Sequence, residues 1–423
     1  MFCENLKKIY ILNQSLQWFM VGLILPILTV FQVEKGLDLF EVGIVMGVYS
    51  TSIILLELPT GALADTIGRK KVFIISVVLM FISFFGMLIS QEFWHYIISF
   101  AFLGASRSLS SGTIDAWFID EFEKKYPDGN LQETLAMVGI FVTLSLGGAS
   151  LLGGYIPMSS LSIIISHIEG FDIYSLNFMV ALFLALCQML LTSVLIKEER
   201  IVEHQEKGIL SGLMAFPSLI ATSVHYGLKN HLVFLLILAS VFWSFSLSGV
   251  EMLWQPKAKE VAGAEFQTSI LGILGSGYFF AGALGSYISI PLCRLFKNDY
   301  AFVLFMMRLF MGTVLVIMAI STTQVGFAIA YWTFFLINGV KESPHATIYN
   351  EAIPSEKRST MLSFESFVMQ IGGLAGSICL GYLANNFSIE YAWMFSGALI
   401  TSSSLIYILV RKQRQLIVEQ PSG

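Results

Sequence analysis

Ionisable side chains set in apolar sequence are where this chain could do chemistry. The run NGVKESPHATIYNE, 338–351, puts Lys341, Glu342 and His345 within about one helical turn around Pro344. Glu342 and His345 are three residues apart, so one helix face can present both. A carboxylate beside an imidazole in a partly dry cavity suits proton exchange, because burial favours a protonated carboxyl and imidazole titrates near neutrality. The bland alternative is that Lys341 and Glu342 only neutralise one another. In FLGASRSLSSGTIDAWF, 102–118, Arg107 sits among apolar and small residues. It could contact a solute or a proton carrier, or donate structural hydrogen bonds to neighbouring helices. Glu251, in GVEMLWQPKAKE, is expected at the outer end of its apolar stretch as a solvated rim charge or a coupling acid, with Trp254 as an interfacial aromatic. Glu365 and Arg308 are deeper and could pair. The first apolar stretch offers Asn13, Gln14 and Gln17 but no acid between Lys8 and Glu34. Each charge in hydrocarbon costs roughly 2.5 to 3.5 kcal/mol on insertion scales, which makes each one a functional candidate.

The elements that must position these residues are apolar and long. Of 423 residues, 56% are hydrophobic and only 13% charged, with a mean hydropathy of +0.75. Soluble chains carry about twice that charge, so this is an integral membrane protein whose partner is the lipid bilayer and not nucleic acid. About twelve stretches long enough to span start near Ile9, Leu39, Val72, Phe93, Leu135, Tyr174, Leu232, Ser269, Ala301, Val325, Met361 and Ala392. With the N-terminus in the cytoplasm, inner loops collect Arg69, Lys70, Lys71, Lys124, Lys125, Lys357, Arg358, Arg411 and Arg414 among others, and outer loops only Lys35, Lys257 and Lys259. That asymmetry puts both termini in the cytoplasm of a plasma or inner membrane. The stretch after Lys7 and Lys8 is longer than a signal peptide's apolar region and reads as a retained span. Four cysteines without paired spacing imply neither a metal site nor a disulfide framework. No phosphate-binding loop or nucleophile constellation is present, so no cofactor and no catalysis are expected.

The stretch ELPTGALADTIGRKK, 57–71, interrupts the apolar pattern with acid, glycine and a basic cluster. It reads as a tight loop between two spans, with Gly61 and Gly68 suited to a reversal and Asp65 four residues from Arg69. This loop resembles the signature of the major facilitator superfamily, Gly-x-Leu-x-Asp-x-x-Gly-Arg-Lys, matched here by Gly61, Leu63, Asp65, Gly68, Arg69 and Lys70. Arg107 resembles the arginine of a second motif of that family, although the glycine usual four residues on is Ser111, with Gly112 one place later. Where efflux members carry Gly-Pro in the fifth span, this chain has Ala149-Ser150.

The resemblance implies an all-α membrane protein of twelve transmembrane helices in two six-helix halves. By the same resemblance Arg69 should meet an acid at the end of the fourth span, Asp115, Asp120 or Glu121. These would form a conformational latch together with Glu57. Residues 197–230 are longer than the other connections, with a charged first part and, from Gly212, apolar residues that suit an interfacial helix. The halves are accordingly 1–196 and 231–423. Gly43 with Gly47, Ala149 with Gly153, Ala281 with Gly285 and Gly372 with Gly376 have the spacing that lets helix backbones approach closely. In the family those spans join the halves, which implies a sliding interface. Phe19, Trp117, Trp243, Phe245 and Trp332 could line an adaptable cavity or simply face lipid.

The function implied is secondary active transport of a small organic solute by alternating access, with proton-coupled efflux of an amphipathic compound by a monomer as the first expectation. Gln17, Arg107, Glu251, Lys341, Glu342 and His345 are its candidate substrate and proton path. One alternative is a proton-coupled importer of a polar or anionic nutrient held by Arg107 and Lys341. Another is a non-transporting membrane receptor or scaffold.

Overall fold

In hydrocarbon every backbone N–H and C=O must be paired within its own segment, so runs of this length fold as helices. The computed structural model describes residues 2–127, 129–198, 226–227 and 229–419, and among these there are helices and turns but no strand. The helices are α1 (Phe2–Ile24), α2 (Leu28–Glu34), α3 (Leu39–Ile67), α4 (Arg69–Ile89), α5 (Phe93–Ser110), α6 (Thr113–Lys125), α7 (Leu131–Tyr155), α8 (Ser160–Ser166) and α9 (Ser175–Leu195). After the linker come α10 (His231–Ala262), α11 (Thr268–Leu295), α12 (Tyr300–Ile320), α13 (Gln324–Glu351), α14 (Arg358–Asn386) and α15 (Ile389–Glu419). The interfacial helix expected in 212–230 lies outside the described residues except for its last few positions. Polar caps mark several starts. Asn130, Asn230, Asp299 and Thr323 accept from the N–H groups of Glu133, Val233, Phe302 and Gly326 and so begin α7, α10, α12 and α13.

Among the described residues, ten stretches are long and apolar enough to span a membrane. The twelve expected from apolar runs are therefore not all recovered by that measure. The missing two are α5 and α13. Arg107 and His95 in α5, and Asn338, Lys341 and Glu342 in α13, put polar groups where the other spans carry apolar side chains.

The chain divides into two compact units. One gathers the described residues of Met1–Leu37, Val48–Phe216 and Gln267–Ser276, the other those of Asp38–Gly47, Pro217–Phe266 and Gly277–Gly423. In the first unit α1 packs along α7 and α9, and α4 along α5 and α9. In the second, α10 packs along α14 and α15, and α12 along α13 and α15. The same pairings recur when the first, third, fourth, fifth and sixth stretches are matched to the seventh, ninth, tenth, eleventh and twelfth, which is the signature of a parallel repeat.

The small-residue pairs mostly serve contacts other than those expected. Side chains added at Gly372 and Gly376 of α14 would strike α10, one at Gly285 would strike Leu336 and Val340 of α13, and one at Gly153 would strike Leu23 of α1. These are helices of the same sequence half, so the close approach builds each bundle. Gly43 does face the other sequence half, at Ser377 and Gly381 within the second unit, and Gly154, one residue past the expected Gly153, meets Gly272 within the first.

Two charged positions also differ from expectation. Helix α10 runs on to Ala262, so Lys257 is not in an outer loop; its buried ammonium is clamped by Glu260 at 2.9 Å and by Glu390 of α15. Trp254 is likewise buried, with its ring 5.2 Å from Tyr331, and is not an interfacial aromatic. In the first unit Lys35 pairs with Asp172 at 2.8 Å, and the Tyr174 hydroxyl donates to Glu34 at 3.0 Å. Burial, with the Glu34 carboxylate beside it, pushes the Tyr174 phenol up from its ordinary value.

Candidate functional site

The signature stretch is helical over most of its length. Helix α3 continues through Gly61 to Ile67, so the expected loop shrinks to a single residue, Gly68, at φ +97° and ψ 143°. Helix formers on either side of one glycine make this the economical way to reverse. The side chains of Glu57 and Asp65 lie outside the described residues. Beneath the turn Ala64, Val72 and Leu109 form an apolar cluster. The N-terminus of α4 points its free N–H groups at Glu198, whose carboxylate accepts from Arg69 N at 2.8 Å and from Lys70 N at 3.1 Å. An anion there complements both the unpaired donors and the helix dipole. The Arg69 guanidinium is ion-paired with Asp120, and Lys70 Nζ donates to Ser193 O at 2.7 Å.

Asp115 takes different partners from Asp120. Tyr10 Oη donates to it at 2.5 Å and Gln14 Nε2 also donates to it, while the Tyr10 ring stacks on Phe118 at 4.1 Å. Asp115 is thus tied to α1, one helical turn from Gln17, which is half-buried. The fourth stretch breaks at Gly112, φ +74°, between α5 and α6. Arg107 lies in the last turn before that break, exposed, with its guanidinium carbon 5.2 Å from the Trp18 ring. It was expected well inside a continuous span.

In the second unit Glu251 is not at a helix end. It lies eleven residues before the end of α10, exposed, and accepts from Tyr278 Oη of α11 at 3.1 Å. The Tyr278 ring is 4.0 Å from that of Phe335 on α13, which in turn is 5.0 Å from Tyr331. No cation lies within ion-pair distance of Glu251 among the described residues. A carboxylate beside aromatic faces can hold a cationic or amphipathic molecule by charge and cation–π attraction.

Two to three turns nearer the start of α10 the expected pairings are redistributed. Lys341 Nζ meets Glu342 Oε1 at 2.6 Å and lies 3.6 Å over the Trp243 ring, whose indole N–H donates to Asn338 at 2.9 Å. Lys341 is buried and Glu342 exposed. His345 does not pair with Glu342; its Nε2 is 2.7 Å from Glu365 Oε1 of α14, which also accepts from Ser240 Oγ of α10 at 2.8 Å. Glu365 therefore does not pair with Arg308, which donates to Ala239 O at 2.8 Å and stacks over Tyr407. Glu198, Tyr278, Tyr10 and Ser240 carried no local signal, because each acts through a partner far away in sequence.

The family model described as Major Facilitator Superfamily matches residues 10–350. The chain belongs to the Major Facilitator Superfamily. Its relatives include the uncharacterized MFS-type transporter YxaM of Bacillus subtilis (strain 168), 22% identical with 94% of each chain covered. The quinolone resistance protein NorA of Staphylococcus aureus is 21% identical, with 97% of each covered. Among solved structures it is similar to the nucleoside transporter NupG, at TM-score 0.75 and 15% identity over 96% of this chain and 99% of that one. This superfamily member is therefore a multi-span membrane transporter with a small-molecule substrate, and not an enzyme.

Proposed function

We propose that this transporter exports an amphipathic, positively charged compound in exchange for protons, as a monomer in the cell membrane with both termini in the cytoplasm. The observation that carries this is Glu251, a carboxylate in mid-span with an aromatic wall and no cation of its own among the described residues. A mid-span carboxylate whose charge no cation neutralises is costly, so it favours either a proton or a cation, and the two compete for one site. That competition is what exchange requires. Gln17, Arg107, Lys341, Glu342 and His345 complete the proposed path. The pairing of Arg69 with Asp120 supports a latch at the signature turn, in which Glu57, Gly61, Asp65, Gly68, Lys70 and Asp115 are proposed to share. The repeated helix pairings support two six-span halves, 1–196 and 231–423, joined by 197–230.

Import of a polar or anionic nutrient is the second reading, favoured by one observation. Arg107 is an exposed guanidinium beside Trp18 with no acid partner among the described residues. Inverted vesicles carrying the protein separate the two. A pH gradient, acid inside, should drive accumulation of ethidium, and the Glu251→Gln variant should not. Gradient-driven movement of an organic anion with none of ethidium would replace export by import.

A further inference from the structure

We infer that the coupling proton is held between His345 and Glu365, bridged to α10 by Ser240, and that Glu342 is the exposed mouth of this site and not its proton carrier. This rests on the reading of the chain as a proton-coupled transporter and assigns the proton to named atoms.

The geometry is that of a shared proton. His345 Nε2 and Glu365 Oε1 are 2.7 Å apart, and their side chains are only 15% and 10% exposed. Ser240 Oγ donates to the same carboxylate oxygen and stands 3.3 Å from the imidazole nitrogen. Three helices, α10, α13 and α14, thus converge on one proton position. In the emptied form the imidazole keeps its proton on Nδ1, Nε2 is bare, and the pair carries one negative charge. Taking a proton on Nε2 gives imidazolium and carboxylate bridged by that proton, with no net charge and no other covalent bond broken.

The surroundings set this site against Glu342. Glu342 is held by Lys341 at 2.6 Å and is 57% exposed, so its charge is already neutralised and solvated. His345 and Glu365 lie six and seven residues from Glu351 and Arg358, the facing ends of α13 and α14, or about 10 Å inward at 1.5 Å per residue. Between the pair and those ends stand the buried apolar residues Ile348, Tyr349 and Met361, with Ile353 of the connection packed in the same cluster. Tyr349 stacks beside His345 at 6.1 Å and donates to Met361 O at 2.7 Å. Access to the pair therefore runs from the Lys341 and Glu342 side.

The charged and titratable groups around the pair are few. Helix α13 brings Lys341, Glu342 and the Tyr349 phenol, while the Tyr407 phenol of α15 lies against Arg308. From α12 comes Arg308, close enough to act on Lys341 and Glu342, with Nε and Nη1 unpartnered among the described residues. From α10 comes only the neutral Ser240. Because the proton position is shared by groups on three helices, small movements of α10 or α14 against α13 change its hydrogen-bond partners and so load or unload it.

The test needs no solute. The chain has six histidines, so the purified full-length protein labelled at histidine nitrogen can be titrated by NMR, with His345→Asn assigning the resonance. The His345 midpoint should move by about one unit, a tenfold change in proton affinity, in Glu365→Gln, and stay in place in Glu342→Gln. Ser240→Ala, which keeps both charges, should also move the midpoint and serves if Glu365→Gln fails to fold. An unchanged midpoint in the Glu365 and Ser240 variants, or its displacement only in Glu342→Gln, would overturn the assignment. Because no transport is measured, failure of the export reading would leave this result intact.

Discussion

Replacing Glu198 with alanine tests how the signature turn is held. The Glu198 carboxylate accepts two backbone N–H bonds, from Arg69 and Lys70, at the free end of α4. A hydrogen bond to a charged group contributes about 1.5 to 3 kcal/mol, and an anion near a helix N-terminus about 0.3 to 1 kcal/mol more. Glu198 is half-buried, so screening reduces the sum, and we expect Glu198→Ala to cost about 2 to 3 kcal/mol locally. Glu198→Gln keeps one acceptor and should cost about 1 kcal/mol. Gly68→Ala attacks the same joint from the other side. Its φ of +97° disfavours any side chain by about 1 to 3 kcal/mol, and its new Cβ would lie 2.8 Å from Glu198 Oε2. Combined with Glu198→Ala that clash disappears, so the double variant should lose less than the sum of the two. Hydrogen exchange read by mass spectrometry over 67–75 measures this directly. Glu198→Ala should speed exchange of the first α4 amides by roughly thirty- to a hundred-and-sixtyfold. Unchanged exchange there, or strict additivity with Gly68→Ala, would refute the cap.

Gly376→Leu should destabilise the second unit by about 1 to 3 kcal/mol or more, because its side chain would run into Phe245 O and Ser248 Oγ of α10. Gly373→Leu, whose Cβ meets nothing within 4 Å, should melt like wild type, and equal melting of the two variants would contradict the packing. Glu251→Gln keeps an acceptor for Tyr278 but loses the charge. Ethidium affinity measured by fluorescence should then fall about tenfold, or about 1.4 kcal/mol, and unchanged affinity would remove Glu251 from the site.

Much of the fold was legible because the membrane leaves so few choices. Apolar runs of spanning length mark helices with little ambiguity, and six matched positions around Gly68 point to one family. The details went astray where helices are longer than their apolar cores. Helix α3 runs through most of the expected loop, and α10 carries Lys257 past the expected boundary because Glu260 and Glu390 neutralise it inside the fold. Glu251 was displaced toward mid-helix for the same reason. The candidate site was half legible. Ionisable residues in apolar surroundings were found by cost alone, but their pairings depend on helix rotation, which sequence spacing does not fix. Glu342 and His345 share a turn, yet Glu342 meets Lys341 while His345 meets Glu365, twenty residues on. Glu198 is 129 residues from Arg69 and had no signal of its own.

The central claim is that this chain carries a solute by exchange across a membrane, and counterflow tests it most directly. Proteoliposomes loaded with unlabelled ethidium and diluted into a trace of labelled ethidium, with no ion gradient, should show a transient internal accumulation of label above equilibrium. Exchange needs no driving force, so the overshoot should persist in Glu365→Gln. Simple equilibration without overshoot, at a rate no greater than in protein-free vesicles, would contradict carriage of this solute class.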